Sequence, residues 1–257
     1  MKLLPIAFLV FFSPIVFAQK TIVKDLSCEH KVNPMGVENA APRLSWKLAG
    51  TDRNISQTAY SIRVATDAKF TKGKTVWESG KISSAESVLL PYAGPVLQSG
   101  SRYYWQVKVW DAANKESGWS DAAFWETGLA ESDWKASWIE PVQDTQRSTP
   151  SLLVRKDFAV AKKIASAKAY VTSHGFYELQ INGKKVGNEA LTPGWTSYAK
   201  RLQYQVFDIT SLLQQGNNAV GAMLGDGWYR GALAWQNNWG IWGKKKGLLC
   251  QLNIQYT

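Results

Sequence analysis

Apolar and polar positions alternate along most of this chain, and the alternation stops at recurrent turn signals. Leu44, Trp46 and Leu48 alternate with their neighbours, as do Tyr60, Ile62 and Val64, and Tyr103, Trp105, Val107 and Val109. A period of two marks strands with one buried face. Between these runs lie Asn33-Pro34, Gly73, Gly94-Pro95, Ser99-Gly100 and Asp111 to Asn114. Short strands so separated predict a β-sandwich over residues 20–129. Nothing in that span has the period of a long helix.

Residues 130–150 read as a linker. Glu131-Ser132-Asp133-Trp134 predicts a brief helical turn capped by Ser132 or Asp133. Trp134, Trp138 and Ile139 have roughly helical spacing, suited to sealing a joint between domains. Gln143 to Pro150 is polar and ends on proline, so it predicts a loop.

A second β domain is predicted over 151–257. Leu153 to Phe158 is its first candidate strand. Ala167, Ala169 and Val171 alternate with polar neighbours, then Tyr177, Leu179 and Ile181 do. Asn182-Gly183 tolerates positive φ and predicts a two-residue hairpin turn, with Val186 resuming the apolar face. Tyr204, Val206 and Phe207 continue the sheet. Asp208 to Leu213 reads as a helical turn capped by Asp208 or Thr210 and stopped by Gly216. Asn218 to Leu224 is a strand, and Gly225-Asp226-Gly227-Trp228-Tyr229 a glycine-flanked loop. Gly247 to Tyr256 is a last strand, with Leu248, Cys250, Leu252 and Ile254 toward one face.

Composition adds three constraints. The 257 residues fit one large or two small domains. Thirteen Trp and ten Tyr are many; sandwich cores take most such rings, and those beside turns are candidates for stacking on sugar rings. The formal charge of +10 could suit an anionic partner. The lysines are spread, however, and the one tight run, Lys244-Lys245-Lys246, reads as a solvated turn. No recognition helix accompanies it, so a nucleic-acid partner is not expected.

Met1 to Ala18 has a lysine start, an apolar run and a small residue at its end. It predicts a secretory signal peptide cut before Gln19, and hence a periplasmic or extracellular protein. No second long apolar run occurs, so no membrane span is expected. There is no CxxC and no His/Cys cluster with metal-ligand spacing.

Candidate chemistry is sparse. Glu178, Glu189 and Asp226 read as solvated carboxylates rather than a catalytic pair. Ser173-His174 sets a hydroxyl beside an imidazole, but neighbours on a strand point to opposite faces. No nucleophile elbow is present, and His30 and His174 read as structural. The catalytic set is therefore empty. The binding set is Trp195, Asp226, Trp228 and Tyr229: the glycines allow a close approach to a ligand, the acid suits hydroxyls or calcium, and the rings offer stacking faces. Trp235, Asn237, Asn238 and Trp239 follow closely.

Three blocks carry a resemblance. GFYELQINGKKVG, LTPGWTSYAKRLQYQVFDIT and LGDGWYRG resemble, in that order, the sandwich domain ahead of the catalytic domain in bacterial α-L-rhamnosidases. PRLSWKL, QTAYSIRVAT and RYYWQVKVWD resemble the fibronectin-like domain that opens those enzymes. The likeness covers nearly the whole chain after about residue 20. It implies an all-β chain, a fibronectin type III-like sandwich followed by a jelly-roll-like one that stops short of its last strands. It implies inverting hydrolysis of terminal α-L-rhamnose by glutamates of a helical barrel, which has no counterpart here, and packing against that barrel. Some members bind rhamnose on the sandwich with a calcium ion; that site is not matched residue by residue here, so a rhamnose-containing carbohydrate and calcium are carried without assigned ligands. Cys28 and Cys250 fall in different domains of the family pattern and read as two free thiols. The competing readings are a stand-alone carbohydrate-binding module and a scaffold of fibronectin-like repeats, the latter weakened because the second domain does not repeat the first.

Overall fold

The computed structural model describes residues 21–50, 53–142, 146–147, 150–233 and 236–257. The leader read at 1–18, five residues of the loop at 143–150, and Trp235 lie outside the described residues. Two compact units emerge. One takes the chain up to Val32, Ala41–Pro95 and Tyr103–Phe124; the other takes Asn33–Ala40, Val96–Arg102 and Trp125–Thr257. Among the described residues no helix is long and apolar enough to cross a membrane.

The strands of the first part are β1 (Ile22–Cys28), β2 (Arg43–Ala49), β3 (Ala59–Ala65), β4 (Thr75–Glu78), β5 (Ile82–Ser83), β6 (Leu90–Pro91), β7 (Arg102–Trp110) and β8 (Ala123–Glu126). One sheet has the order β1-β2-β6; the other runs β4-β3-β7-β8, with β5 also on β3. The alternating residues Leu44, Trp46, Ile62, Val64, Trp105, Val107 and Val109 are buried, as the period of two requires. Trp46 meets Tyr60 edge-on at 5.2 Å, joining β2 to β3. Its indole N–H donates to Gln57 Oε1 at 2.9 Å, which meets the cost of burying that donor. β1 was not foreseen. A bulge between Lys24 and Ser27 breaks its alternation, so the buried residues are Val23, Leu26 and Cys28. Burial pushes the Cys28 thiol up to about 12.

The second unit contains β9 (Leu152–Val160), β10 (Ile164–His174), β11 (Phe176–Ile181), β12 (Lys184–Lys185), β13 (Gln205–Asp208), β14 (Gly216–Gly225), β15 (Ala232–Leu233), β16 (Asn238–Trp239) and β17 (Gly247–Tyr256). Two sheets, β13-β10-β17 and β12-β11-β14-β9, enclose the core. Ala167, Ala169 and Val171 from β10 share it with Tyr177, Leu179 and Ile181 from β11. The hairpin turn has the predicted geometry, with φ of 51° at Asn182 and 77° at Gly183. Val186 N–H then donates to Leu179 O at 2.9 Å.

The outer face of β10 is covered by the unit's own segments. Trp134 packs edge-on against Tyr204 at 5.3 Å and against Tyr170 at 6.2 Å. The buried Gln251 side chain accepts from Lys135 N–H at 2.6 Å and Ala136 N–H at 3.1 Å, and donates to Asp133 O at 3.0 Å. Glu126, 1% exposed, lies 2.6 Å from Arg102 Nε and 2.7 Å from Lys168 Nζ. The 3-10 turn at Glu131–Asp133 follows Ala130 and has no side-chain cap, because Ser132 and Asp133 lie inside it. The turn at Thr210–Leu212 receives its support from Asp208, whose Oδ1 accepts from Thr210 N–H at 3.0 Å. Gly216 does not stop that turn: the chain is already extended at Leu213, and Gly216 starts β14.

β17 and β9 each lie at the end of their sheet. Between them opens a cleft of about 680 Å³ whose lining includes Val154, Phe158, Leu179, Leu248, Leu252 and Ile254. Ile139 closes one end through paired backbone bonds to Leu248, at 2.8 and 2.9 Å. β17 carries no charged residue. The Cys250 thiol faces this side and burial pushes it up to about 12; both cysteines are free.

Candidate functional site

Gly225 to Tyr229 is not the loop its glycines suggest. β14 runs through Gly225, and Gly227–Arg230 forms a short helix, α1. Arg230 N–H donates to Asp226 O at 3.2 Å and Gly231 N–H to Gly227 O at 2.9 Å, which closes the turn.

The Arg230 side chain closes it again. Its guanidinium pairs with the Asp226 carboxylate, donates from Nε to Lys244 O at 2.8 Å and also reaches Gln146 O. It lies 5.2 Å from the Trp239 ring centroid. Lys246 approaches the same Asp226 oxygen at 3.3 Å and Pro150 O at 3.1 Å. Arg230 is 0% and Lys246 1% exposed. Lys244 and Lys245 are exposed, as a solvated turn requires, but the last member of the run, Lys246, is inside. Two buried cations thus share one oxygen of the Asp226 carboxylate, which ties α1 to the segment around Lys246.

The rings form two groups. Trp195 stacks on Trp228 with centroids 5.8 Å apart and planes at 18°. Trp228 meets Phe176 edge-on at 4.5 Å. Trp195 is 57% exposed, so one face of this pair is open to solvent. Tyr229 belongs to the second group, stacking on His174 at 4.4 Å and 9°, while Trp138 stacks on His174 at 4.1 Å and 9°. Tyr198 packs edge-on against Tyr229 at 5.2 Å and tilts against Trp242 at 5.7 Å. Gly243 makes room here, because a Cβ at that position would collide with the Tyr229 ring and hydroxyl.

The second group borders a cavity of about 370 Å³ lined by His174, Tyr198, Leu202, Tyr229, Ile241 and Trp242, with Ala199. Burial lowers the affinity of His174 for a proton, opposed by the Glu140 charge. Of the four residues singled out in the sequence, Trp195 and Trp228 come together, Tyr229 turns to a separate cluster, and Asp226 points to buried cations. Tyr198 and Trp242 were not singled out, and His174 was read as structural. They lie far apart in sequence, and only a histidine on the outer face of β10, between aromatic runs, hinted at them.

The remaining acids have local partners. Glu178 lies 3.1 Å from Lys185, and hydrogen bonds from Lys185 and Gln180 hold its carboxyl below the ordinary range. Glu189 accepts from Asn188 N–H at 3.0 Å. No group of three or more His, Cys, Asp or Glu side chains suited to a metal occurs among the described residues.

The fold is that of two consecutive β-sandwiches. Residues 23–131 match the model for the Rha78A-like N-terminal immunoglobulin domain, and residues 162–257 that for the α-L-rhamnosidase N-terminal domain. The chain belongs to the N-terminal region of the α-L-rhamnosidases. An α-L-rhamnosidase of Formosa agariphila is 34% identical over 97% of this chain and 28% of its own length. One from Alteromonas sp. is 39% identical over 79% of this chain and 23% of its own. The crystal structure of the Aspergillus terreus enzyme superposes with a TM-score of 0.83 and 32% identity, covering 92% of this chain and 28% of that one. The chain thus spans about a quarter of the length of these relatives.

Proposed function

We propose that this chain is the non-catalytic front part of an exported α-L-rhamnosidase, with hydrolysis of terminal α-L-rhamnose carried out by a domain outside these residues. The observation that carries the reading is the order and extent of the two family matches, 23–131 then 162–257, within relatives several times longer. The carboxylates agree with it. Glycoside hydrolysis uses two acids facing the scissile bond, whereas Glu178, Glu189 and Asp226 each have a different partner. In the intact enzyme the partner of this region is the catalytic domain, and the Met1–Ala18 leader directs export.

Two measurements test this. The purified chain should release no phenol from an aryl α-L-rhamnoside; turnover by this chain would overturn the non-catalytic assignment. Expression with the leader in a Gram-negative host should yield periplasmic protein beginning at Gln19. Retention of the leader in the cytoplasm would overturn export. A second reading, a carbohydrate-binding role, draws on the open face of Trp195 against Trp228.

A further inference from the structure

We propose that the cavity bordered by His174, Tyr198, Tyr229 and Trp242 is a binding site for a single pyranose ring. At about 370 Å³ it falls within the roughly 300–1,000 Å³ of small-ligand sites. Four of its seven lining residues carry rings, and two of its residues at the surface, Ile241 and Trp242, are 51% and 37% exposed. Such walls suit the C–H face of a sugar. The polar groups are few and held in place. Tyr198 is fixed by donation of its hydroxyl to Gly194 O at 3.0 Å. His174 is clamped on both faces by Trp138 and Tyr229. Among the described residues none hydrogen-bonds its ring. An imidazole fixed in plane, with one nitrogen donating and the other accepting, matches the hydroxyl rim of a sugar. A hydrocarbon chain would need an unbroken apolar lining, and this cavity does not provide one.

One ring of the lining is anchored from its own helix. Tyr229 lies on α1 between Asp226 and Arg230, so the buried ion cluster sets its position. The inference deepens the function proposed above and rests on it for the choice of L-rhamnose as probe. It is read from binding alone, so its failure leaves the non-catalytic assignment standing.

The test is a calorimetric titration of the full chain with methyl α-L-rhamnopyranoside and methyl β-D-glucopyranoside, with phenol as a flat aromatic control. Saturable binding of at least one glycoside is expected. It should weaken by about tenfold or more in Trp242→Ala and in His174→Phe, which keeps the ring stack but loses the polar edge. If His174→Phe lowers the melting temperature, the partly exposed Trp242→Ala decides. No saturation by either glycoside overturns the proposal. So does tighter binding of phenol, or loss of binding in Trp195→Ala with Trp242→Ala unaffected.

Discussion

Lys168 holds its ammonium 2.7 Å from the carboxylate of Glu126, which is 1% exposed. A carboxylate so placed is tolerated only because cations stand beside it, here Lys168 and Arg102. Lys168→Met should cost about 3 kcal/mol, near the low end for breaking a buried pair because Arg102 remains. Combining it with Glu126→Gln should recover most of that loss. Urea melts of the two single variants and the double variant measure the coupling; additive losses would show that the pair does not act as a unit.

Asp226 gives the sharpest contrast among the residues singled out from sequence. Asp226→Ala leaves Arg230 and Lys246 buried beside a missing carboxylate and should destabilise by about 3–5 kcal/mol. Trp195→Ala, at a 57% exposed position, should change stability by less than about 1 kcal/mol. Thermal unfolding of both separates anchor from surface. An unchanged melting temperature for Asp226→Ala would remove it from the framework.

His174 should make the second unit acid-sensitive. Burial lowers its folded proton affinity below the ordinary 6.5, so the unfolded chain takes up the proton first as pH falls. The stability is fully present above about 6.5 and drains away as pH drops through the lower folded value. Stability measured from pH 7.5 to 5.0 should fall less steeply for His174→Phe than for the parent. Glu140 is the charge that opposes the effect, and Glu140→Gln should steepen the fall. Parallel curves for parent and His174→Phe would rule the ring out as the titrating group.

β17 should make the chain prone to self-association. It is ten residues long, uncharged, and at the end of its sheet beside an apolar cleft. Edge strands are normally blunted by charge, proline or bulges. Sedimentation velocity should show association that rises with concentration and is suppressed by Ile254→Lys, an inward-pointing charge. A monomer at all concentrations would show that the edge is already protected.

What could be read in advance depended on how local the signal was. Asn182-Gly183 announces its hairpin because both residues tolerate positive φ and strands alternate on either side. β1 escaped because its bulge makes the buried spacing three, then two, at Val23, Leu26 and Cys28. α1 escaped because Gly225 and Gly227 advertise a loop, whereas the bonds that make a turn of it involve Asp226 and Arg230. Lys246 looked solvated because its partners, Asp226 and Pro150, are distant in sequence. The cavity around His174 was invisible for the same reason: four segments build it, and they are distant from one another in sequence.

The second unit does not begin where the linker does. It takes in Asn33–Ala40, Val96–Arg102 and the chain from Trp125, so its structure draws on stretches encoded well upstream. The Tyr204 hydroxyl accepts from Leu129 N–H at 3.0 Å, and Lys168 donates to Gly100 O at 3.2 Å. A gene fusion or recombination joined at 130–150 would carry away the sheets and leave those supports behind. A boundary that keeps the second unit whole has to be drawn through Asn33–Ala40 and Val96–Arg102 as well, so a single cut in the chain cannot deliver it as a cassette.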